Sequence, residues 1–309
     1  MISELFSMTV LIGILASGIR LATPYLYAAI GETFGQRSGV LNLGVEGQML
    51  LGAFAGFYVT LRTGSLWLGV LVAMLVGASM GLAMAYVTVN MHAQQGISGI
   101  GFYLFGLGLS DLLFQKMMVK IETVQGFPRI HIPFLSDIPG LGEIFFSQNL
   151  LVYGAYLLVP LAWFVLNKTT LGLKIRSVGE NPEAADSLGV SVARIRYFTI
   201  ILGGTLSGLA GASLSIALLN VFQQNMTSGL GFIAVALVYF GGWRPWGVLG
   251  GALIFSMVNS LQLWIQVLGI PIPSDIAVMM PYVLTILVLV ASVSRVRAPS
   301  ALTRPFERE

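Results

Sequence analysis

The chain has 309 residues, 56% of them hydrophobic and only 9% charged, with a mean hydropathy of +0.86; soluble domains carry about a quarter charged residues, so a water-soluble fold is excluded. The net charge is +3, and no run of Lys and Arg interleaved with aromatics suggests a nucleic-acid face. The absence of cysteine removes disulfides, thiolate metal sites and cysteine nucleophiles.

Apolar stretches long enough to cross a hydrocarbon core of about 30 Å recur along nearly the whole chain, which predicts one all-α, polytopic transmembrane domain over residues 1–309. The first run, Leu5 to Ile30, has no basic segment before it and leads straight into further apolar sequence, so it reads as a retained span, near 5–27, rather than a cleaved signal. Eight more spans are expected near 39–60, 65–90, 97–118, 148–167, 197–219, 227–243, 247–268 and 275–294, giving nine in all. Polar connections fall near 31–38, 91–96, 119–147, 168–196, 244–246 and after Val293. Within the spans glycines recur four apart, as in Gly52/Gly56, Gly77/Gly81, Gly204/Gly208 and Gly247/Gly251, a spacing that lets helix backbones approach closely in lipid.

Basic residues favour the cytoplasmic side of a membrane. If 31–38, 91–96, 168–196, 244–246 and the tail face the cytoplasm, that side holds Arg37, Lys168, Lys174, Arg176, Arg194, Arg196, Arg244, Arg295, Arg297, Arg304 and Arg308, eleven of the sixteen. The N-terminus is then outside and the C-terminus inside.

Residues 168–196 form the longest charged stretch. Asn181 suits a helix N-cap, Pro182 the first helical position, Glu183 the positive end of the dipole, and Gly189 a left-handed C-terminal closure. A helix of about two turns is marginal on its own, which suggests either a docking surface stabilised by a partner or an amphipathic loop helix lying among lipid headgroups. The stretch Gly172-Leu-Lys-Ile-Arg-Ser-Val-Gly-Glu-Asn-Pro-Glu-Ala-Ala followed by Ser187-Leu-Gly-Val resembles the cytoplasmic coupling-helix loop of ATP-binding-cassette (ABC) importer permeases for simple sugars, nucleosides and branched-chain amino acids. Gly31-Glu-Thr-Phe-Gly-Gln-Arg-Ser-Gly-Val-Leu-Asn-Leu-Gly-Val-Glu-Gly-Gln-Met-Leu-Leu-Gly-Ala is similar to the second-span entry of the nucleoside-type branch. Phe240-Gly-Gly-Trp-Arg-Pro-Trp-Gly-Val-Leu-Gly-Gly-Ala-Leu-Ile-Phe is similar to a late short turn between two spans of the same family.

The resemblance runs from about residue 10 to 295. It implies a type II importer in the bacterial inner membrane: two permease subunits, two ATPases that hold ATP and Mg, and an extracytoplasmic solute-binding protein; the second permease could be an identical copy or a related chain, and a related chain is expected. It also implies that Gly179, Glu180, Asn181, Pro182, Glu183, Ala184, Ala185, Ser187, Leu188 and Gly189 meet the ATPase. This chain is then a transport subunit with no cofactor and no catalytic residue of its own, carrying a nucleoside or, within the same family, riboflavin or a monosaccharide.

Ionisable groups within spans are costly and so draw attention; here they are Arg20, Glu46, Asp111 and Lys116. Asn42 and Glu46, four apart, are expected on one helical face with Gln48 nearby, where they could bind sugar hydroxyls or base edges. The simpler alternative is an interhelical hydrogen bond, or a Glu46–Arg20 ion pair fastening the first two spans. Phe102, Tyr103 and Phe105 could stack on a base or serve packing alone. Trp243 and Trp246, flanking Arg244 and Pro245, read as interfacial anchors, and Lys116 as a snorkelling side chain. His92 and His131 have no ligand spacing around them. No Gly-x-x-x-x-Gly-Lys-[Ser/Thr] occurs, so ATP hydrolysis must come from elsewhere. An ion-coupled secondary transporter, the rival class, would have only Glu46 and Asp111 as a carboxylate relay.

Overall fold

The computed structural model describes residues 7–118, 120, 122–269, 273, 276, 279–283, 286, 287, 290 and 297–307. Their helices, in order, are α1 (Met8–Arg37), α2 (Val45–Thr63), α3 (Leu66–Ala85), α4 (Gln95–Met117), α5 (Leu150–Lys168), α6 (Thr170–Glu180), α7 (Pro182–Ser187), α8 (Val192–Ala212), α9 (Leu230–Phe240) and α10 (Pro245–Val267). α3 and α8 continue as π-helical turns to Asn90 and Leu218, and a separate π turn covers Gly142–Phe146. Among the described residues, β structure is limited to the isolated bridges Thr123–Val221 and Arg129–Asn149. The all-helical membrane fold expected from composition is the fold observed.

Six of the described helices are long and apolar enough to cross a membrane: α1, α3 and α8 with their π extensions counted, α4, α5 and α10. The remaining expected spans differ in form. Residues 31–38 are not a polar connection, because α1 runs 30 residues to Arg37, with Gly31 and Gly35 buried in it; the chain turns only at Gly39, at φ +90°. The second span therefore starts late, at Val45. The span expected at 227–243 is only the 11 residues of α9, about 16 Å long at 1.5 Å per residue. That is half the hydrocarbon core, so α9 is a half-helix. The ninth expected span, 275–294, lies largely outside the described residues.

α8 is the axis of the bundle, packed by α1, α2 and α3. Glycines permit this closeness: a Cβ at Gly52 would come 2.6 Å from the Gly208 Cα, and Gly77 and Gly81 both meet Gly204 across the α3–α8 contact. Such backbone approach supplies van der Waals contact where lipid offers no hydrophobic drive for helix association. By contrast α4 buries Gly99 against Leu43, just before α2, and Gly106 against Gly47 of α2, and turns Ile97, Leu104 and Phe105 outward, each more than half exposed. That outer apolar face suits lipid or another membrane helix.

The two ends of the bundle differ in charge. At one end the α1 terminus, α6, α7, the start of α8, the α9–α10 turn and residues 297–307 gather, linked by Arg37 Nε donating to Trp243 O at 2.9 Å and Ala301 N donating to Gly179 O at 2.9 Å. Arg37, Arg176, Arg194, Arg196, Arg244 and Arg304 all belong to these segments. The opposite end is closed by the 118–149 segment, where Val124 N donates to Asn220 O at 3.0 Å and Trp67 meets Phe127 edge to face at 5.4 Å.

Candidate functional site

Two constructions carry the residues singled out by sequence. The first is the α6–α7 hairpin at the basic end. Thr169 caps α6 by accepting from Gly172 N at 3.1 Å, and Ile175 and Val178 bury its inner face. Asn181 ends α6 and caps α7, its Oδ1 accepting from Ala184 N at 3.0 Å, with Pro182 at the first helical position. The helix closes with Gly189 N donating to Asp186 O at 2.8 Å and Val190 N to Ala185 O at 3.0 Å, a Schellman arrangement that Gly189 permits at φ +83°. Asn181, Pro182, Glu183 and Gly189 therefore take the positions their chemistry predicts.

Ala185 is buried at 2% exposure and fixes the helix to the bundle, while Glu183, Ala184 and Ser187 face outward and Leu188 is 85% exposed. Gly179 is buried against the Arg37 carbonyl, and the Glu180 carboxylate accepts from Ser300 Oγ at 3.1 Å. The result is a short, fully capped helix presenting a bare leucine at a charged edge. The sequence did not suggest α6, which makes most of the 168–196 stretch helical.

The second construction lies inside the bundle, where α2 and α9 both begin. Glu46, 1% exposed, accepts from Thr227 Oγ1 at 2.6 Å, Gly229 N at 2.7 Å and Gly231 N at 2.6 Å. A carboxyl group thus sits on the N-terminus of the half-helix α9, accepting from two N–H groups that have no intrahelical partner. The interhelical hydrogen-bond alternative describes Glu46; the Arg20 ion pair does not form among the described residues.

Asn42 departs from expectation. It lies in the 38–44 turn and not on the α2 face, since α2 begins three residues later. From the turn its N–H donates to Glu32 Oε1 at 3.0 Å and its Nδ2 to Gln48 Oε1 at 3.2 Å. Gln48 is fully buried and its Nε2 has no partner among the described residues. Glu32 also accepts from Gln36 Nε2 at 3.0 Å, and Gln36 Oε1 accepts from Trp243 Nε1 at 2.7 Å. A continuous polar seam therefore runs from the α9–α10 turn through α1 to the start of α2.

Trp243 is a correction: it is 3% exposed, stacked edge-on to Tyr239 at 4.9 Å, and belongs to this seam, not to the membrane interface. Trp246, half exposed, keeps a surface position. The phenylalanines also separate. Phe102 lies beside Gly44 at the seam and Tyr103 packs on Phe232 at 5.1 Å, whereas Phe105 is 56% exposed on the outer face of α4. Asp111 Oδ1 is buried without a partner, Lys116 is exposed, and the histidines face carboxylates, His92 at 3.6 Å from Glu307 and His131 at 3.3 Å from Asp137. Sequence reading missed Glu32, Gln36 and Thr227. Glu32 and Gln36 fall in the stretch 31–38, where Gly31 and Gly35 weaken the helical signal; four apart, they share one face of α1.

The family profile described as branched-chain amino acid transport system / permease component matches residues 14–289. The chain is 39% identical to a putative glucose ABC transporter permease protein of Haloferax volcanii, over 96% of this chain and 98% of that one. It is 37% identical to a guanosine ABC transporter permease protein of Bacillus subtilis over 92% and 93% respectively. A second guanosine permease protein of the same bacterium is 26% identical, over 84% of this chain and 74% of its own length. No solved structure matches the chain.

Proposed function

The chain belongs to the branched-chain amino acid transport system / permease component family, and on that premise we propose that it is the membrane-spanning subunit of an ATP-driven importer for a nucleoside or a similar sugar-bearing solute. The observation that carries the coupling part of this reading is α7, a helix capped at both ends whose exposed face ends in the bare side chain of Leu188. An isolated helix of this length does not persist in water, and α7, held on the bundle by Ala185, turns Glu183, Ala184, Ser187 and Leu188 outward as a surface that another protein can meet. That protein is the ATPase subunit, which holds ATP and Mg. The positive-inside rule puts this end of the bundle in the cytoplasm and the 118–149 segment outside, where a solute-binding protein delivers the cargo.

The solute assignment rests on what the relatives are named for. Glucose and guanosine have in common a sugar ring bearing hydroxyls, and buried amide groups such as those of Asn42 and Gln48 suit such hydroxyls. The unpartnered Gln48 Nε2 is the donor free to take one. Because the glucose relative is as similar as the guanosine one, a monosaccharide is the second reading. The two guanosine permeases of one bacterium, unequally similar to this chain, support a related chain as the partner permease.

Mechanistically, the half-helix α9 is tied to the start of α2 by Glu46, so that the two move as one piece. Discontinuous helices at membrane depth serve alternating access in other transporters. Movement of α7 by the motor tilts α8, against which α1, α2 and α3 pack, and the solute escapes inward. Replacement of Ala184 by Arg tests the reading directly. Ala184 is exposed and its side chain holds nothing together, so the fold is retained while co-purification of the ATPase is lost; an Ala184→Arg complex that stays intact would overturn the coupling assignment. Thermal shift of the cognate binding protein against nucleosides and monosaccharides decides the solute.

A further inference from the structure

Given the importer reading above, we propose that residues 297–307 form a strap that transmits the motion of the coupling helix to the turn between α1 and α2, alongside the direct contact of Gly179 with Arg37. The segment is far in sequence from everything it binds. Ser300 donates N and Oγ to the Glu180 carboxylate at 3.4 and 3.1 Å, and Ala301 N donates to Gly179 O, so its first turn is fixed to the α6–α7 junction. Three residues on, Thr303 N donates to Gly39 O at 3.1 Å, at the apex of the α1–α2 turn. Arg196 closes the set: 2% exposed, it donates Nε to Ser38 O at 3.3 Å and Nη1 to Arg304 O at 3.1 Å, pinning strap, turn and α8 at one guanidinium. Ala301 is 4% exposed, and Leu302 and Phe306 pack on the main core.

These are the contacts of a structural member, not of a loose tail. The turn it grips is the turn that holds the polar seam, since Asn42 stands three residues beyond Gly39 and is bonded to Glu32 and Gln48. Force on α7 thus reaches the buried start of α2 by a route independent of the covalent chain through α8. A strap of this kind affects coupling, not docking, and the experiment must read the two separately.

The test uses the whole importer complex in proteoliposomes, with wild type, a chain ending after Ala298, and Ser300→Glu, which sets a second carboxylate against Glu180 without shortening the chain. ATPase co-purification, ATP turnover and uptake are measured for each. Both variants are expected to keep the ATPase bound while uptake per ATP falls roughly five-fold, the lower end of the coupling between linked sites. Unchanged uptake per ATP in Ser300→Glu would overturn the strap even if the truncated chain proved unstable. Loss of the ATPase from either variant would also overturn it, making the segment part of the docking surface. Failure of the ATPase to accompany the wild type would instead remove the importer reading itself.

Discussion

The starts of α7 and α9 solve one problem in opposite ways. Each helix leaves backbone N–H groups without an intrahelical partner. α7 lies at the surface and is capped from within, by Asn181 three residues from the N–H it satisfies. α9 begins at the half-buried Gly229, which has no side chain to offer, and is capped from 183 and 185 residues away by Glu46, itself 1% exposed. An exposed helix end can borrow from its own sequence or from water; a buried one in a membrane bundle must be met by a group that tertiary folding brings to it. α7 takes its caps from its own stretch of sequence, whereas the distant cap ties the start of α9 to α2.

The largest expected effect comes from removing the distant cap. Glu46→Ala leaves Thr227 Oγ1 and the N–H groups of Gly229 and Gly231 without their acceptor, at about 1–3 kcal/mol for each buried group. Thermal unfolding of the purified chain in detergent should therefore drop by many degrees and uptake should be lost. Glu46→Gln keeps one carbonyl oxygen and should recover part of the loss. Equal stability of Glu46→Ala and wild type would mean that α9 does not depend on α2 for its cap.

Next comes the close approach at the same junction. A Cβ on Gly231 would stand 2.5 Å from both the Cα and the N of Glu46. Gly231→Ala must push α9 away from α2, costing about 1–3 kcal/mol as overpacking does. Alanine at Gly189, where no atom stands within 4 Å of the added Cβ, meets only the strain of its left-handed backbone and should cost about 1 kcal/mol. Melting curves of the two variants compare them directly, and a Gly231→Ala chain no less stable than Gly189→Ala would contradict the packing at Glu46.

The contrast between local and distant determinants also explains what could be read in advance. The all-helical membrane fold was legible because apolar length alone specifies spans, and α7 was legible because cap, proline and closing glycine lie within nine residues. Glu46 was noticed as costly, yet its partners were not, since nothing near it in sequence points to Thr227 or Gly231. Asn42 was misassigned for a related reason: helical spacing assumes a helix, and the turn at Gly39 postpones α2 beyond it. Trp243 was misread because tryptophan beside arginine suits an interface. Only the fold shows that Gln36 waits to accept its indole N–H. Trp243→Phe should accordingly cost about 1–2 kcal/mol through the unpaired Gln36 Oε1, while Trp246→Phe, at a half-exposed position, should stay within about 0.5 kcal/mol of wild type.

The smallest expected effect is at the local cap, and its smallness is informative. Asn181→Ala removes the acceptor for Ala184 N and should cost about 1 kcal/mol, but α7 holds only six residues and buries only Ala185 in the bundle. The loss is therefore confined to α7: the melting temperature of the whole chain should not move, while the affinity for the ATPase falls by roughly five-fold, the equivalent of that 1 kcal/mol. Asn181→Asp, whose carboxylate also caps and complements the helix dipole, should restore binding. If Asn181→Ala instead lowered the melting temperature of the bundle, α7 would be bound into the fold as tightly as α9, and the distinction between a part built for a partner and a part built for the interior would fail.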